Sequence, residues 1–450
     1  MNRPIRKRGL NTFLLLMTLY CCVSGGPFGL EPLVASSGAG MALLLILVVP
    51  IVWALPDSLI TAELTAAIPE EGGYIVWVRR AMGEGMAFVN GWWTWLYAIV
   101  DATVYPVLIT KYLLAILGEG LHLHGLDSSP LKFGIAATFI AIFTLLNIRG
   151  SRAVGLAGTA FVLILLLPHV LMVILGAYRL FQHPLPAVHS FVPAGTSPKD
   201  AALAGLGIVL WNYLGWDSLS TVAGEVEHPE RAYPKAMLIG VPMVAISYLL
   251  PTLIGLAFFP DTSKWQDGTW PAIAQAVGGP WLFWLMAIAA VVSQAALYVA
   301  SMLGSSRVPY ALAEMKTMPQ FLVDLHPRYG TPWKSIILVG LLNLCLVQLS
   351  FQELAGINVV LYASALVLEG LALIILRIRE PDLPRPFRVP GGWPVAGLLV
   401  LLPLVLGGFL ALNDWQDSEA PPYARWITLG ALISGPLLWW AQVAYRRWRR

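Results

Sequence analysis

The amino-acid sequence predicts an all-α integral membrane protein, a single transmembrane domain over residues 1–450 with twelve transmembrane helices. Three observations support this fold class. The 450-residue chain is 58% hydrophobic and only 12% charged, whereas soluble domains carry about 25% charged residues. Apolar runs long enough to cross a ~30 Å hydrocarbon core recur along the whole chain. Basic residues cluster in alternate segments between these runs, which is typical of cytosolic loops.

Each predicted span is an apolar run of about 20 residues or more, except the ninth, which is shorter. The first run is too long for a signal peptide, and no small-residue cleavage site follows it. The three cysteines fall within spans, so no disulfide framework is predicted. The twelve spans are predicted at about 10–36, 40–66, 86–117, 131–148, 153–180, 201–225, 235–259, 280–306, 335–351, 354–377, 393–412 and 424–445.

The placement of Lys and Arg predicts the orientation of the chain. Most of the 28 basic residues lie in the two tails and in the loops that follow spans 2, 4, 6, 8 and 10. Cytosolic segments retain positive charge, so both termini and the even-numbered loops are predicted to be cytoplasmic. We expect a multi-pass protein of the cell inner (plasma) membrane. The small positive net charge of +3 comes largely from these loops and does not indicate nucleic-acid binding.

Two of the predicted spans contain sequences that interrupt a helix. Span 1 has Ser24-Gly25-Gly26-Pro27-Phe28-Gly29 at its midpoint, and Gly and Pro together cannot maintain the i→i−4 hydrogen bonds there. Span 6 has a second weak point at residues 213–217. Unwound backbone at membrane depth is tolerated only where it lines a cavity or is buried in protein. Interrupted helices at equivalent places in two halves therefore indicate a substrate site, and a pair of ordinary kinks is the alternative.

Four carboxylates lie deep within apolar spans: Glu31, Asp101, Asp217 and Glu369. No Lys or Arg lies deep enough to neutralise them, and a charge at that depth is costly unless it is paired, hydrated or bound to a ligand. We therefore predict an interior site that attracts a proton or an ammonium group. The alternative is a structural role, in which an acid caps a broken helix or accepts hydrogen bonds from loose backbone amides.

Several segments resemble the amino acid–polyamine–organocation superfamily, and the likeness runs through all twelve spans. Residues 60–64 and 69–77 resemble the motif at the end of the second span, and residues 223–236 resemble the segment after the sixth. Within the superfamily, the chain looks most like the plant-type polyamine uptake transporters. The shared features are residues 24–29 with Glu31, Trp216-Asp217-Ser218, Asp101 with Tyr105-Pro106, and Leu361-Tyr362 with Glu369.

The resemblance implies the leucine-transporter fold, in which spans 1 and 6 are broken and five helices are followed by five inverted ones. The repeats would cover about 10–180 and 201–377, with two peripheral helices at about 393–445. It also implies proton-coupled symport of a cationic amine, polyamine or amino acid, without a cofactor or a metal. By the same resemblance, Asp217 occupies the place of a proton-sensing glutamate in arginine/agmatine exchangers, and Trp211 that of their gating aromatic. In one departure, the plant carriers have a glutamate where Ser301 stands.

The interruption of span 1 also bears on the substrate. Backbone N–H groups at a broken helix can hold a substrate carboxylate, but Pro27 has no N–H, which leaves Gly25, Gly26, Phe28 and Gly29 as donors. This thinner anion hole favours a substrate without a carboxylate, whereas Ser301 in place of an acid argues the other way. Both a polyamine and a cationic or broad-range amino acid therefore stay open.

The aromatic residues near the two breaks would attract an ammonium group by cation–π interaction, with plain packing as the alternative. Proton coupling is assigned to Asp217 and Asp101. The partners are then a small-molecule amine, protons and the lipid bilayer. The predicted substrate-binding residues are Gly25, Gly26, Phe28, Glu31, Asp101, Trp211, Tyr213, Trp216, Asp217, Ser301 and Glu369.

Other functions fit parts of the sequence. The same site would serve an amine exchanger, or a receptor that binds amines without moving them. A membrane-embedded enzyme would need Ser24 or a histidine-based metal site, but His122 and His124 have no third ligand nearby. His169 is predicted to be a buried histidine or a proton relay. No set of residues has a spacing that suggests nucleophilic catalysis, so we predict a transporter and not an enzyme.

Two acids near the cytosolic ends of their spans, Glu63 and Glu225, are expected to cap helices or to pair with Arg or Lys rather than to contact a substrate. Asp57, which lies in the same span as Glu63, is assigned no role.

Overall fold

The structure is a computed structural model that describes residues 11–70, 72–121, 123, 125, 128–149, 158–183, 190–314, 318–416 and 422–448. The basic residues of the N-terminal tail, His122 and His124 lie outside these ranges, as does the side chain of Glu225. Within them every regular element is helical, and nine helices are long and apolar enough to cross a membrane. The chain is thus an all-α, multi-pass membrane protein.

The helices are numbered in chain order. A 3₁₀ helix at Ser218–Glu225 lies between α8 and α9, and α3 contains one wide turn at Pro50–Ala54. The bounds are α1 Thr12–Val23, α2 Glu31–Ser37, α3 Ala39–Ala67, α4 Tyr74–Met82, α5 Glu84–Ala115, α6 Ser129–Arg149, α7 Gly158–Gln182, α8 Pro198–Trp211, α9 Pro229–Phe258, α10 Trp270–Gly278, α11 Pro280–Ser305, α12 Arg307–Glu314, α13 Trp333–Leu346, α14 Phe351–Arg379, α15 Gly392–Gln416 and α16 Pro422–Trp448.

The chain between α1 and α2 is interrupted where Gly and Pro predict it. Gly26 and Gly29 have φ angles of 73° and 89°, a conformation that glycine adopts without a steric penalty. The carbonyl of Pro27 accepts hydrogen bonds from the N–H of Leu30 at 3.1 Å and from the indole of Trp270 at 2.8 Å. The polar backbone freed by the interruption is therefore satisfied within the protein.

A second interruption follows α8. This helix ends at Trp211, and the chain turns through Gly215, whose φ is 95°. A Cβ atom at Gly215 would lie 3.0 Å from the carbonyl oxygen of Cys22, so the two interruptions lie against each other. The hydroxyl of Tyr248 donates to the carbonyl of Asn212 at 2.8 Å. Beyond this point the chain forms a 3₁₀ helix and not an α-helix.

The two longest buried helices, α5 and α14, form the centre of the assembly. Helix α5 packs on α11 and α14, and α14 also packs on α15 and α8. Helix α1 packs on α9, and α2 packs on α8. By contrast, only 17% of the most apolar stretch of α6 and 6% of that of α16 is buried, so these two helices lie at the periphery.

A buried ion pair joins α3 and α14 at the ends that are predicted to face the cytosol. Arg377 donates to both carboxylate oxygens of Glu63, with 2.8 Å between Nε and Oε1, and each side chain is 1% exposed. The N–H of Val389 also donates to Glu63, at 2.7 Å, and Arg385 lies 3.5 Å away. This is the kind of pairing with Arg or Lys that the sequence predicts for Glu63.

We expect Glu63→Ala to lower the free energy of unfolding by about 3–5 kcal/mol, because it leaves the Arg377 charge buried without its partner. The matched control is Glu380→Ala. It breaks a pair with Arg80 whose side chains are 31% and 38% exposed, and such a pair contributes about 1 kcal/mol or less. Unfolding of the purified protein in detergent measures both variants, and equal losses of stability would contradict the expectation.

Candidate functional site

A small cavity lies where the two helix interruptions meet. Gly25 and Phe28 line it from the first interruption, Trp211 from the end of α8, and Asp101 from α5. The cavity volume is about 20 Å³, which is enough for about one water molecule. The polar groups of the cavity therefore lie close together.

Asp101 is the acidic residue of this cavity. Its carboxylate accepts hydrogen bonds from the hydroxyl of Tyr105 at 2.9 Å, the indole of Trp211 at 3.2 Å and the amide of Asn358 at 3.2 Å. These donors come from α5, α8 and α14, so three helices meet at one carboxylate. A carboxylate has about four acceptor positions, and no ion pair to Asp101 forms among the described residues. A cation in the cavity would complete its coordination.

Aromatic rings form much of the cavity wall. Trp211 packs edge-to-face against Phe351, with ring centroids 5.1 Å apart. Phe28 packs edge-to-face on Tyr112 at 5.2 Å and on His169 at 4.7 Å. A desolvated ammonium group is attracted to such faces by about 2 kcal/mol. The cavity therefore combines an acidic residue with cation–π surfaces.

Phe351 also lines a second, larger cavity, so the Trp211–Phe351 pair separates the two. The larger cavity has a volume of about 660 Å³, within the range of small-molecule sites. Asp267 and Lys111 lie in its wall and approach each other to 3.9 Å. Burial raises the pKa of the Asp267 carboxyl group to about 6, and Lys111 opposes that shift.

Gln294 is a cavity residue that the sequence analysis missed. It lies on α11 with 1% of its surface exposed, and its Oε1 has no hydrogen-bond partner among the described residues. Ser301, which was predicted to contact the substrate, lies about two turns further along α11. It is half-buried and is not part of the cavity wall. A buried amide in a long apolar helix was the signal that would have identified Gln294.

Tyr213 and Trp216, both predicted to bind substrate, pack beside the second interruption and do not line the cavity. Each is fully buried. The hydroxyl of Tyr213 donates to the carbonyl of Ile46 at 2.9 Å, and the indole of Trp216 donates to the carbonyl of Tyr213 at 3.0 Å. Their contacts match the alternative of plain packing that the sequence left open.

The N–H donors of the first interruption are partly occupied by the chain itself. The hydroxyl oxygen of Ser24 accepts from Gly26 at 3.1 Å, and the carboxylate of Glu31 accepts from Gly29 at 2.8 Å. Pro27 has no N–H to offer. Two of the four predicted donors, the N–H groups of Gly26 and Gly29, are therefore already bound to side chains of the protein.

Glu31 lies outside the Asp101 cavity. It is fully buried, and besides Gly29 it accepts hydrogen bonds from the hydroxyl of Tyr112 at 2.8 Å and the N–H of Gly268 at 3.2 Å. It thus ties the interruption before α2 to α5 and to the loop before α10. Three donors to one buried carboxylate fit the structural role that the sequence left as an alternative.

A second group of acids lies beyond Tyr97, which lines the Asp101 cavity. Tyr97 packs edge-to-face on Tyr362 with ring centroids 5.0 Å apart. The hydroxyl of Tyr362 lies 2.8 Å from Asp217 and 2.5 Å from Asp57. Since a hydroxyl group carries a single hydrogen, both contacts can be hydrogen bonds only when one of the two carboxyl groups carries a proton. Asp57, to which the sequence assigned no role, is therefore paired with Asp217.

Glu369 completes this second group, which we name the inner acid cluster: Asp57, Asp217 and Glu369. It lies on α14 about two turns beyond Tyr362, on the same helix face. Glu369 is 1% exposed, and neither of its carboxylate oxygens has a hydrogen-bond partner among the described residues. The neighbouring Asn90 directs its amide nitrogen to the carbonyl of Ala365 at 3.1 Å. The structure thus divides the predicted acids between two places, with Asp101 on one side of Tyr97 and the cluster on the other.

Comparisons with known proteins show which family this chain belongs to. A family model described as Amino acid permease matches residues 14–432. The rice (Oryza sativa subsp. japonica) Polyamine transporter PUT1 is 35% identical, over 99% of this chain and 81% of its own length. The Arabidopsis thaliana Polyamine transporter RMV1 is 34% identical, over 88% and 79%. The Branched-chain amino acid permease BcaP of Bacillus subtilis (strain 168) is 27% identical, over 95% and 92%.

Proposed function

We propose a substrate class and a coupling mechanism on the premise that this chain belongs to the amino acid permease family. It is a membrane transporter of amines or amino acids and not an enzyme. The proposed substrates are cationic amines, with polyamines as the first candidates, and the proposed driving force is a proton gradient. An exchanger that carries one amine out for another in is the alternative.

The twelve-span architecture belongs to this proposal. We assign α1 with α2 as span 1, and α8 with the following 3₁₀ helix as span 6, each interrupted near the middle of the bilayer. Spans 1–5 and 6–10 would form the inverted repeats of the leucine-transporter fold, with α15 and α16 as the peripheral pair. Both termini would lie in the cytoplasm of a cell whose plasma membrane holds the protein.

The observation that carries the proposed substrate is the Asp101 cavity. A substrate ammonium there would take the free acceptor position of Asp101 and face the ring of Trp211. The unpartnered Oε1 of Gln294 supplies a further acceptor. An ammonium group carries three N–H donors, so these groups match its chemistry, and they offer little to an anion.

The occupied donors of the first interruption favour an amine without a carboxylate. Ser24 and Glu31 already accept from the N–H groups of Gly26 and Gly29, which are two of the four predicted donors to a carboxylate. The relatives whose names give polyamines as cargo are 34–35% identical to this chain, whereas the relative named for branched-chain amino acids is 27% identical. Both observations support the proposal of polyamines rather than amino acids as substrates.

Proton coupling is proposed to use the Asp57–Tyr362–Asp217 arrangement. Burial disfavours the charged form of a carboxyl group, and a nearby ammonium favours it. A proton on this pair and an amine in the neighbouring cavity therefore affect each other, and such mutual effects link two fluxes. Asp217 lies directly before the 3₁₀ helix, so its charge would act on the part of span 6 that must move.

Uptake into proteoliposomes tests the proposed function. With an inward proton gradient, we expect accumulation of labelled putrescine and spermidine to exceed that of arginine and of a neutral amino acid. Asp101→Asn should weaken the apparent affinity for putrescine by about tenfold, or about 1.4 kcal/mol. The control Tyr105→Phe keeps the charge of Asp101 and should weaken it less. Uptake of the neutral amino acid alone would overturn the proposal, and uptake that requires an amine preloaded inside the vesicles, whatever the proton gradient, would identify exchange.

The selectivity against carboxylates can be tested at Glu31. In the wild-type protein, putrescine should compete at least as well as ornithine, the amino acid that carries the additional carboxylate. Glu31→Ala frees the N–H of Gly29 and should shift the preference towards ornithine. Tyr112→Phe is the matched control, because it removes one hydrogen bond to Glu31 and leaves Gly29 occupied. A wild-type preference for ornithine of about tenfold or more, about 1.4 kcal/mol, would contradict the polyamine assignment.

Coupling through Asp217 can be tested with Asp217→Asn, which keeps the shape of the side chain and removes its titration. We expect the variant to fold and bind amines but to lose proton-driven accumulation. Substrate affinity of the wild type should weaken as the pH falls, because protonation removes negative charge near the amine, and the variant should show a flatter profile. Asp101→Asn should keep its pH response while losing affinity. Accumulation by Asp217→Asn at the wild-type rate would move the coupling role to another acid.

A further inference from the structure

We propose that the inner acid cluster is a second cation site, which binds the distal ammonium of a linear diamine whose first ammonium lies at Asp101. The proposal rests on the proposed function and narrows its substrate class to α,ω-diamines and longer polyamines. Two acidic sites on either side of one aromatic pair would recognise a molecule with two positive ends and an apolar middle.

The geometry of α5 and α14 places the two sites close together. Tyr97 and Asp101 are four residues apart on α5, so they share a helix face with a rise of roughly 6 Å between them. Tyr97 packs on Tyr362 at 5.0 Å, and the Tyr362 hydroxyl contacts both Asp57 and Asp217. These two tyrosine rings separate Asp101 from the Asp57–Asp217 pair. Glu369 lies further along: it is eleven residues beyond Asn358, the α14 residue that donates to Asp101, which is a rise of roughly 16 Å between the two Cα atoms. A rotation of the rings would open a passage with apolar walls, which suits an alkyl chain.

The cluster lacks a positive partner within the described part of the chain. Asp57, Asp217 and Glu369 are each 3% exposed or less, and none of them forms an ion pair there. Arg377, which is buried on the same helix as Glu369, is already paired with Glu63. Uncompensated carboxylates at membrane depth mark an ion pathway or a ligand site. The charge of the cluster is therefore suited to a cation that comes from outside the chain.

The unpartnered atoms point to an ammonium as that cation. Both oxygens of Glu369 lack a hydrogen-bond partner, and so does the neighbouring Oδ1 of Asn90. An ammonium group offers three N–H donors, which is the number of acceptor atoms that these two side chains leave open. Among the described residues, no group of three His, Cys, Asp or Glu side chains is arranged to hold a metal ion. The cluster therefore fits a hydrogen-bonding cation better than a coordinated metal.

Three carboxyl groups also allow the cluster to hold a proton and an ammonium at the same time. The proton would remain on the Asp57–Asp217 pair, where the Tyr362 hydroxyl needs it to satisfy both contacts. The ammonium would bind at Glu369. The second cation site is then compatible with proton symport, because substrate and proton use different members of the cluster.

The test compares monoamines with diamines of the same carbon number on the purified, full-length protein in detergent. Isothermal titration calorimetry would measure butylamine against putrescine, followed by pairs with longer alkyl chains. In the wild type, we expect the longer diamines to bind at least about tenfold more tightly than monoamines of the same carbon number. This advantage should rise with chain length until both ends reach their acids. In Glu369→Gln the advantage should fall to less than about threefold, with the affinity for butylamine unchanged.

Glu353→Gln is the matched control, because it makes the same substitution on the same helix outside the cluster. Glu353 accepts from the N–H of Ser350 at 2.6 Å in the capping box of α14, and glutamine also serves in a capping box. This control should keep the full diamine advantage. If Glu369→Gln does not fold, Asn90→Ala gives a second test, because it removes the open Oδ1 acceptor beside Glu369 and should also reduce the diamine advantage.

Two results would overturn the second site. One is equal affinity of the wild type for monoamine and diamine at every chain length. The other is a loss in Glu369→Gln that weakens butylamine and putrescine alike, which would assign Glu369 a structural role. If the proposed function itself were wrong, no amine would bind or accumulate, and this result differs from the two above. Monoamines that bind at Asp101 without a diamine advantage would leave the proposed function intact and remove only the second site.

Discussion

The burial of carboxylates without positive partners is the constraint on which the rest of this site depends. The free energy of a charge within apolar helices falls only through hydrogen bonds, protonation or a bound cation. The protein uses the first remedy at Glu31, where three donors surround one carboxylate. At Asp101 three donors leave one acceptor position open, and neither oxygen of Glu369 has a hydrogen-bond partner among the described residues. The acids therefore differ in how fully hydrogen bonds satisfy them, and the less satisfied ones are those for which we propose a bound cation.

The two helix interruptions follow from the same need to satisfy polar groups away from water. Backbone amides and carbonyls released at a break must find partners within the protein. Trp270 reaches the carbonyl of Pro27, and Tyr248 reaches that of Asn212. These hydroxyl and indole donors keep the breaks intact without closing them into helix. The polar backbone is therefore stabilised next to the cavity, where a substrate can approach it.

The positions of the helices and of the first break could be predicted from the sequence, whereas the contacts between distant side chains could not. Apolar length and the placement of basic residues predict where helices lie, and Gly26, Pro27 and Gly29 predict the first break, because these effects act locally. The meeting of Asp57 with Asp217 depends on Tyr362, which is far away in the sequence, and local patterns carry no such information. For the same reason the sequence favoured Ser301 over Gln294. Which face of α11 turns towards the cavity is set by packing on α5 and α7, and not by the residues of α11 alone.

Two pairs of aromatic rings border the Asp101 cavity and would act as barriers in a transport cycle. The Trp211–Phe351 pair separates Asp101 from the larger cavity, and the Tyr97–Tyr362 pair separates it from the inner acid cluster. Trp211, which donates to Asp101, contacts Phe351 of α14. Tyr97, which shares a helix face with Asp101, contacts Tyr362 of the same helix. Movement of α14 relative to α5 and α8 would therefore open one pair or the other. A cation that binds between Asp101 and the cluster would attract both acidic sites and so draw these helices together. The substrate itself would therefore favour the arrangement in which both aromatic pairs are in contact.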